Sequence, residues 1–166
     1  MEERMKRELD NYITGHWGED QVQEHEMRQT WEDAVTEFNT KNSYPPPTKP
    51  SHPAIEVREL RLRLMLEELG ELACAMHEKK LVEVADSLVD LLYVVIGTAV
   101  DYGFAPILDE MFREVQRSNM SKDFLEQGDG RKGGIKGERY FKPDLGSIID
   151  DYADAIKKIN FTVDNG

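Results

Sequence analysis

The stretch from Ala54 to Tyr102 constrains the fold more than any other part of the chain. Leu60, Leu64, Leu69, Leu72 and Met76 recur at helical spacing, which predicts a long helix from about Ala54 to Met76. A second helix begins near Leu81 and runs to about Tyr102, where Gly103 supplies a stop. Its run Leu88 to Val100 is the most apolar of the chain, but it is too short to span a bilayer and contains Asp90, so it reads as a buried core helix. A fold-back near His77-Glu78-Lys79-Lys80 turns the two into an antiparallel pair.

That pair carries an unusual set of acids. Glu67, Glu68 and Glu71 precede the turn; Glu83 and Asp86 follow it, with 68 and 86 sharing the midpoint 77, as do 71 and 83. Residues three and four apart share a helix face, so Glu67 and Glu68 both neighbour Glu71, and Glu83, Asp86 and Asp90 line a stripe on the second helix. Two facing acidic stripes make an oxygen-only nest suited to a hard cation, Mg²⁺ or Mn²⁺, rather than zinc. Taken alone, Glu-Glu-x-x-Glu in an acidic protein is ordinarily a solvated face. Asp86 and Asp90, however, interrupt an apolar run in which a solvent-facing position is hard to arrange, and no Lys or Arg lies between Lys80 and Arg113. Burying unpaired carboxylates costs several kcal/mol each, so a cation is the expected partner.

The rest of the chain reads as helix and connector. Residues 1–20 are a polar arm, and Gln21 to Lys41 looks helical, with Trp31, Ala34, Val35 and Phe38 on one apolar stripe. Tyr44-Pro45-Pro46-Pro47-Thr48-Lys49-Pro50-Ser51-His52-Pro53 is a stiff, extended connector. A third core helix spans roughly Pro106 to Arg117, residues 119–143 read as a glycine-rich loop, and a final amphipathic helix runs from Asp144 to Ile159. No stretch shows strand alternation. The expectation is an all-α bundle, with a domain over 21–160 whose core is 54–122, an N-terminal arm and a C-terminal helix.

The balance of 33 acidic to 21 basic residues gives a formal charge of −12. Such a surface repels nucleic acid and anionic membranes, so neither is an expected partner. Nothing after Met1 resembles an apolar leader, and the sole cysteine, Cys74, fits a reducing cytoplasm and reads as a small buried helix residue.

The pattern Glu-Glu-x-x-Glu, a gap, then Glu-x-x-Asp resembles that of the all-α NTP pyrophosphohydrolases, on the MazG-like and phosphoribosyl-ATP pyrophosphohydrolase-like branch. The similarity extends to Asp86 through Ala99, to Arg117-Ser118-Asn119-Met120-Ser121-Lys122 and to the late Gly137 through Leu145, and covers roughly residues 30–146. Eleven residues separate Glu71 from Glu83, at or just below the short end of the usual gap, and residues 1–25 have no counterpart.

The resemblance implies hydrolysis of a nucleoside triphosphate to monophosphate and pyrophosphate with Mg²⁺, for which Mn²⁺ can substitute. It makes Glu68, Glu71, Glu83 and Asp86 metal ligands, and Glu67 either the group that takes a proton from water or the holder of a further metal. Asp90, Asn119 and Lys122 are then substrate contacts, Asp90 alternatively an outer support. It also implies a homodimer or dimer of dimers with the site near the interface. Trp31, Phe38 and Asn39 are candidates for the base pocket, with core packing the stronger expectation for the two aromatics, as it is for Tyr93. The basic loop with Arg131, Lys132, Lys136 and Arg139 either closes over phosphates or carries ordinary solubilising charge. The alternatives are phosphoribosyl-ATP as substrate, disfavoured by the arm and the extra C-terminal helix, or a nucleotide- or metal-binding bundle without turnover.

Overall fold

The computed structural model describes residues 29–126 and 132–164. The expected arm over 1–20 lies outside the described residues, as does the start of the expected helix over 21–41. The described part of that helix, α1, begins at Trp31 and ends at Lys41. Then follow α2 (Ile55–Glu78), α3 (Leu81–Asp101), a 3₁₀ turn (Ala105–Ile107), α4 (Leu108–Met120), strands β1 (Asp123–Glu126) and β2 (Lys132–Ile135), and α5 (Leu145–Asp164). The fold is all-α apart from the small antiparallel hairpin, in which Phe124 faces Gly134 and Leu125 faces Gly133. The hairpin corrects the expectation of an irregular loop over 119–143, whose first two residues extend α4. Among the described residues no single helix is long and apolar enough to cross a membrane.

The α2–α3 turn is tighter than the sequence suggests. Lys79 adopts a left-handed conformation (φ 58°, ψ 34°), and its N–H and that of Lys80 close onto the carbonyls of Met76 and Ala75. Such a C-terminal turn satisfies carbonyls the helix leaves open, at roughly 1–2 kcal/mol for a non-glycine residue in that conformation. The fold-back therefore falls between Lys79 and Lys80, beyond the midpoint 77 that the acids share.

The core is small and lies where α1, α3 and the 3₁₀ turn meet: Val35, Ile96 and Val100 are buried together, with Ala105 packed against them. The proline connector lies along the end of α3. Ser51 N–H donates to Tyr102 O at 3.1 Å, and a Cβ at Gly103 (φ +75°) would come within 2.8 Å of Lys49 O.

α3 is not the buried helix its composition implies. Leu88 is 54% exposed, Val89 61% and Leu92 39%. Trp31 and Phe38, expected in the core, are exposed as well, and so is Cys74. The apolar positions are there, but the described chain closes over only one side of each long helix.

Candidate functional site

α2 and α3 bring the predicted acids together, in a register shifted from the one their spacing suggests. Glu68 is half-buried, whereas Glu67, Glu71, Glu83, Asp86 and Asp90 are exposed. The Glu68 carboxyl is held above the ordinary carboxylate range, first by partial burial and then by the negative charges of Glu71, Asp90, Glu67 and Asp86, in that order. Contributions from both helices mean that the two acidic stripes face one another. Asp90 acts on Glu68 ahead of Asp86, because the late fold-back sets Glu68 against α3 one turn further from the hairpin tip.

The exposure of Asp86 and Asp90 corrects the expectation that they are buried within an apolar helix. They need no partner to offset full desolvation, since the apolar residues beside them are open too. What gathers the acids is helix geometry.

Nearer the tip an open cleft of about 230 Å³ is lined by Glu71, Glu78, Glu83 and Asp86, with Cys74, Ala75 and Ser87. Lys80, which no spacing argument singles out, pairs with two of these acids. Its ammonium lies 2.7 Å from Glu78 and 3.2 Å from Glu83, bridging the end of α2 and the start of α3. This pairing holds the Lys80 pKa above its usual value, through the hydrogen bonds to Glu78 and Glu83. Among the described residues no group of three His, Cys, Asp or Glu side chains converges closely enough to hold a metal ion as it stands. The donor set nevertheless suits a hard divalent cation: carboxylates from two rigid helices on exposed, rotatable side chains, with no histidine among them. The backbone fixes which acids face each other, and rotamer choice decides which oxygens meet.

Asn119 and Lys122, at the end of α4 and just past it, are not among the groups acting on Glu68. Lys122 Nζ donates to Asn119 Oδ1 at 2.8 Å, so the two pair with each other. Principal packing of α4 is against the 3₁₀ turn and α5. The surrounding Arg-Ser-Asn-Met-Ser-Lys residues hold the segment after β2 in place. Buried Ser118 donates to Phe141 O at 2.8 Å, Ser121 Oγ accepts from Phe141 N–H, and the Arg117 guanidinium lies 4.2 Å from the Phe141 ring centroid.

Glu114 anchors the start of α5. It accepts two hydrogen bonds from Arg117, at 2.7 and 2.9 Å, and one from the Asp144 N–H at 2.8 Å, which draw its pKa down to about 2. Asp144 caps the helix through Ser147. Of the basic loop residues, Arg139 pairs with Asp123 at 2.8 Å and Lys136 sits over the Tyr140 ring, while Arg131 lies outside the described residues.

Phe38 meets Tyr93 edge-on, with ring centroids 5.9 Å apart, and both rings are part-exposed one turn along α3 from Asp90. Asn39, by contrast, is buried and donates to Asp101, a structural use in place of the expected base contact.

A family model described as phosphoribosyl-ATP pyrophosphohydrolase matches residues 26–119, more than half of the chain and inclusive of Glu67, Glu68, Glu71, Glu83, Asp86 and Asp90. The chain is also similar to uncharacterized protein L479 of Acanthamoeba polyphaga mimivirus, 39% identical over 74 residues, or 42% of this chain. It spans only 30% of that relative's length. The facing acidic stripes, the all-α fold and the family match agree: the chain belongs to the phosphoribosyl-ATP pyrophosphohydrolase family of the MazG-like superfamily.

Proposed function

We propose that the chain is a Mg²⁺-dependent nucleoside triphosphate pyrophosphohydrolase that converts a (d)NTP to (d)NMP and pyrophosphate. The observation that carries this reading is the cleft lined by Glu71 and Glu78 from α2 and by Glu83 and Asp86 from α3, beside a Glu68 that feels acids of both helices. Carboxylates so placed disfavour an anionic triphosphate unless cations reverse the local field. A bound divalent ion neutralises phosphoryl oxygens and lowers the pKa of an attacking water.

Glu68, Glu71, Glu83 and Asp86 would hold the metal, with Mn²⁺ able to substitute. Glu67, exposed and beside them, takes the proton from water. Asp90 lies close enough to Glu68 to act on it electrostatically, and supports either the metal or the sugar. Lys122 can serve a phosphate once an oxygen of the substrate replaces Asn119 Oδ1 on its ammonium, which frees the Asn119 amide for hydrogen bonding. The open Phe38–Tyr93 pair offers an aromatic surface for the base.

The apolar faces that the described residues leave open support assembly as a homodimer, or a dimer of dimers. On α2, Leu62, Leu66, Leu69, Ala73 and Met76 are exposed at alternating four- and three-residue spacing; on α3 so are Leu81, Ala85, Leu88, Leu92 and Val95. That spacing is the seam of helix-on-helix packing, and a second copy of the same hairpin presents its complement. No nucleic-acid or membrane partner is proposed, and a reducing cytoplasm suits the chain.

The test is incubation of the protein with each (d)NTP and Mg²⁺, followed by resolution of the products. Monophosphate plus pyrophosphate supports the proposal; orthophosphate release, or no turnover of any triphosphate, contradicts it. Phosphoribosyl-ATP belongs in the same panel, since turnover confined to it would change the substrate and keep the chemistry.

A further inference from the structure

Arg61 occupies a place where a guanidinium is costly unless fully paired. It lies on α2, two turns before Glu68, with its side chain 17% exposed. Its Nε donates to Asp101 Oδ2 at 2.6 Å, and the Asp101 side chain is only 13% exposed. The other Asp101 oxygen accepts from Asn39 Nδ2 at 3.4 Å, and Asn39 is itself buried. One cluster therefore ties α1, α2 and α3 together at the end of the hairpin remote from its turn.

Gly97 makes the room. A Cβ there would lie 2.7 Å from Arg61 Nη1 and 3.2 Å from Cζ, so any side chain at 97 displaces the guanidinium. Because α2 and α3 are antiparallel, two turns toward the tip lead from Arg61 to Glu68 and from Gly97 to Asp90. The fit of Arg61 over Gly97 and the facing of Glu68 with Asp90 are one helix register seen at two points. Apolar packing between long helices is non-directional and tolerates slippage, whereas a buried ion pair has one good geometry. The acids repel each other and would drive the helices apart or out of register.

We propose that Arg61, Asp101 and Gly97 form a register lock whose role is to position the facing acids for a divalent cation. Arg61 is thus a positioning residue, and the proposal rests on the metal reading above. The lock acts from a distance: none of its members belongs to the acidic cluster, and it works by denying the helices any other alignment.

The test is a Mn²⁺ titration of the full chain followed by electron paramagnetic resonance, which counts free ion and needs no turnover. Gly97→Ala forces the guanidinium out of its position over residue 97 without changing any charge. A second variant, Arg61→Met with Asp101→Asn, removes both charges together and keeps an amide oxygen to accept from buried Asn39, which protects folding. Each is expected to keep its helical circular dichroism and to bind Mn²⁺ about 10-fold more weakly, the low end of the cost of losing an outer support of a metal site. Arg61→Lys, which retains the charge and loses the forked donor, is expected to fall between wild type and these variants. A purely structural role would lower the melting temperature and leave the Mn²⁺ affinity of the folded protein as it was. Wild-type binding with unchanged affinity in the folded variants overturns the lock alone. Absence of Mn²⁺ binding by wild type overturns the metal reading, and the lock with it.

Discussion

Leu66 provides the sharpest test of assembly through the long hairpin. It is 60% exposed on α2, in the middle of an apolar stripe that the described chain does not cover. Fully burying a leucine side chain is worth about 1.5–3 kcal/mol, so closing the open part of Leu66 contributes about 1–2 kcal/mol. In a two-fold dimer the residue is present twice, and Leu66→Ala should cost the interface about 2–4 kcal/mol, roughly a 30- to 700-fold rise in dissociation constant. Leu88→Ala, on α3, should behave similarly, because Leu88 is 54% exposed in an equivalent stripe. Sedimentation velocity over a concentration series reads the effect directly: the dimer–monomer midpoint should move to higher protein concentration in each variant. A wild-type chain that is monomeric throughout, or a Leu66→Ala midpoint equal to wild type, would refute the argument.

Three further outcomes are expected. Val100 is completely buried. Val100→Ala removes two methyl-sized groups and should lower unfolding free energy by about 2 kcal/mol in urea at unchanged slope, and a loss under about 0.5 kcal/mol would show the core placement to be wrong. Glu114 has a folded pKa of about 2 against 4.5 unperturbed, so its contribution is fully present above 4.5 and lost as pH falls through 2. Carboxyl NMR should report a midpoint near 2, rising toward 4.5 in Arg117→Ala; equal midpoints would exclude the Arg117 bond as the cause. Lys80→Ala breaks two exposed pairs and should leave stability nearly unchanged, while freeing Glu83 and strengthening Mn²⁺ binding. Weaker binding would mean that Lys80 supports the site instead of competing for it.

The helical hairpin was legible because both its helices are long and periodic and the gap at 77–80 admits little except a turn. The acids were legible for the same reason: three- and four-residue spacings translate directly into a face. What the sequence concealed was which faces the chain closes by itself. Leu88, Val89 and Leu92 look the same whether they meet another helix of this chain or one from a second copy, so nothing in the spacing tells that Asp86 and Asp90 lie outside the interior. The register was hidden too. Arg61, Gly97 and Asp101 are far apart in sequence, and only the exact turn at Lys79 brings them together. The β-hairpin left almost no signal, because Lys-Gly-Gly-Ile carries neither alternation nor β-branched bulk before its last residue. The last helix was legible from Ile148, Ile149, Ala153 and Ile156, while its Asp144–Ser147 cap emerges only in the structure.

The proposed role of the acids facing one another across α2 and α3 is to hold the divalent cation on which pyrophosphate release depends. Its most direct measurement is pyrophosphate production from the preferred triphosphate in Mg²⁺, for wild type, Glu68→Gln and Asp86→Asn, each confirmed folded. Wild type is expected to turn over and neither variant to exceed background; pyrophosphate release at the wild-type rate in both would rule that role out.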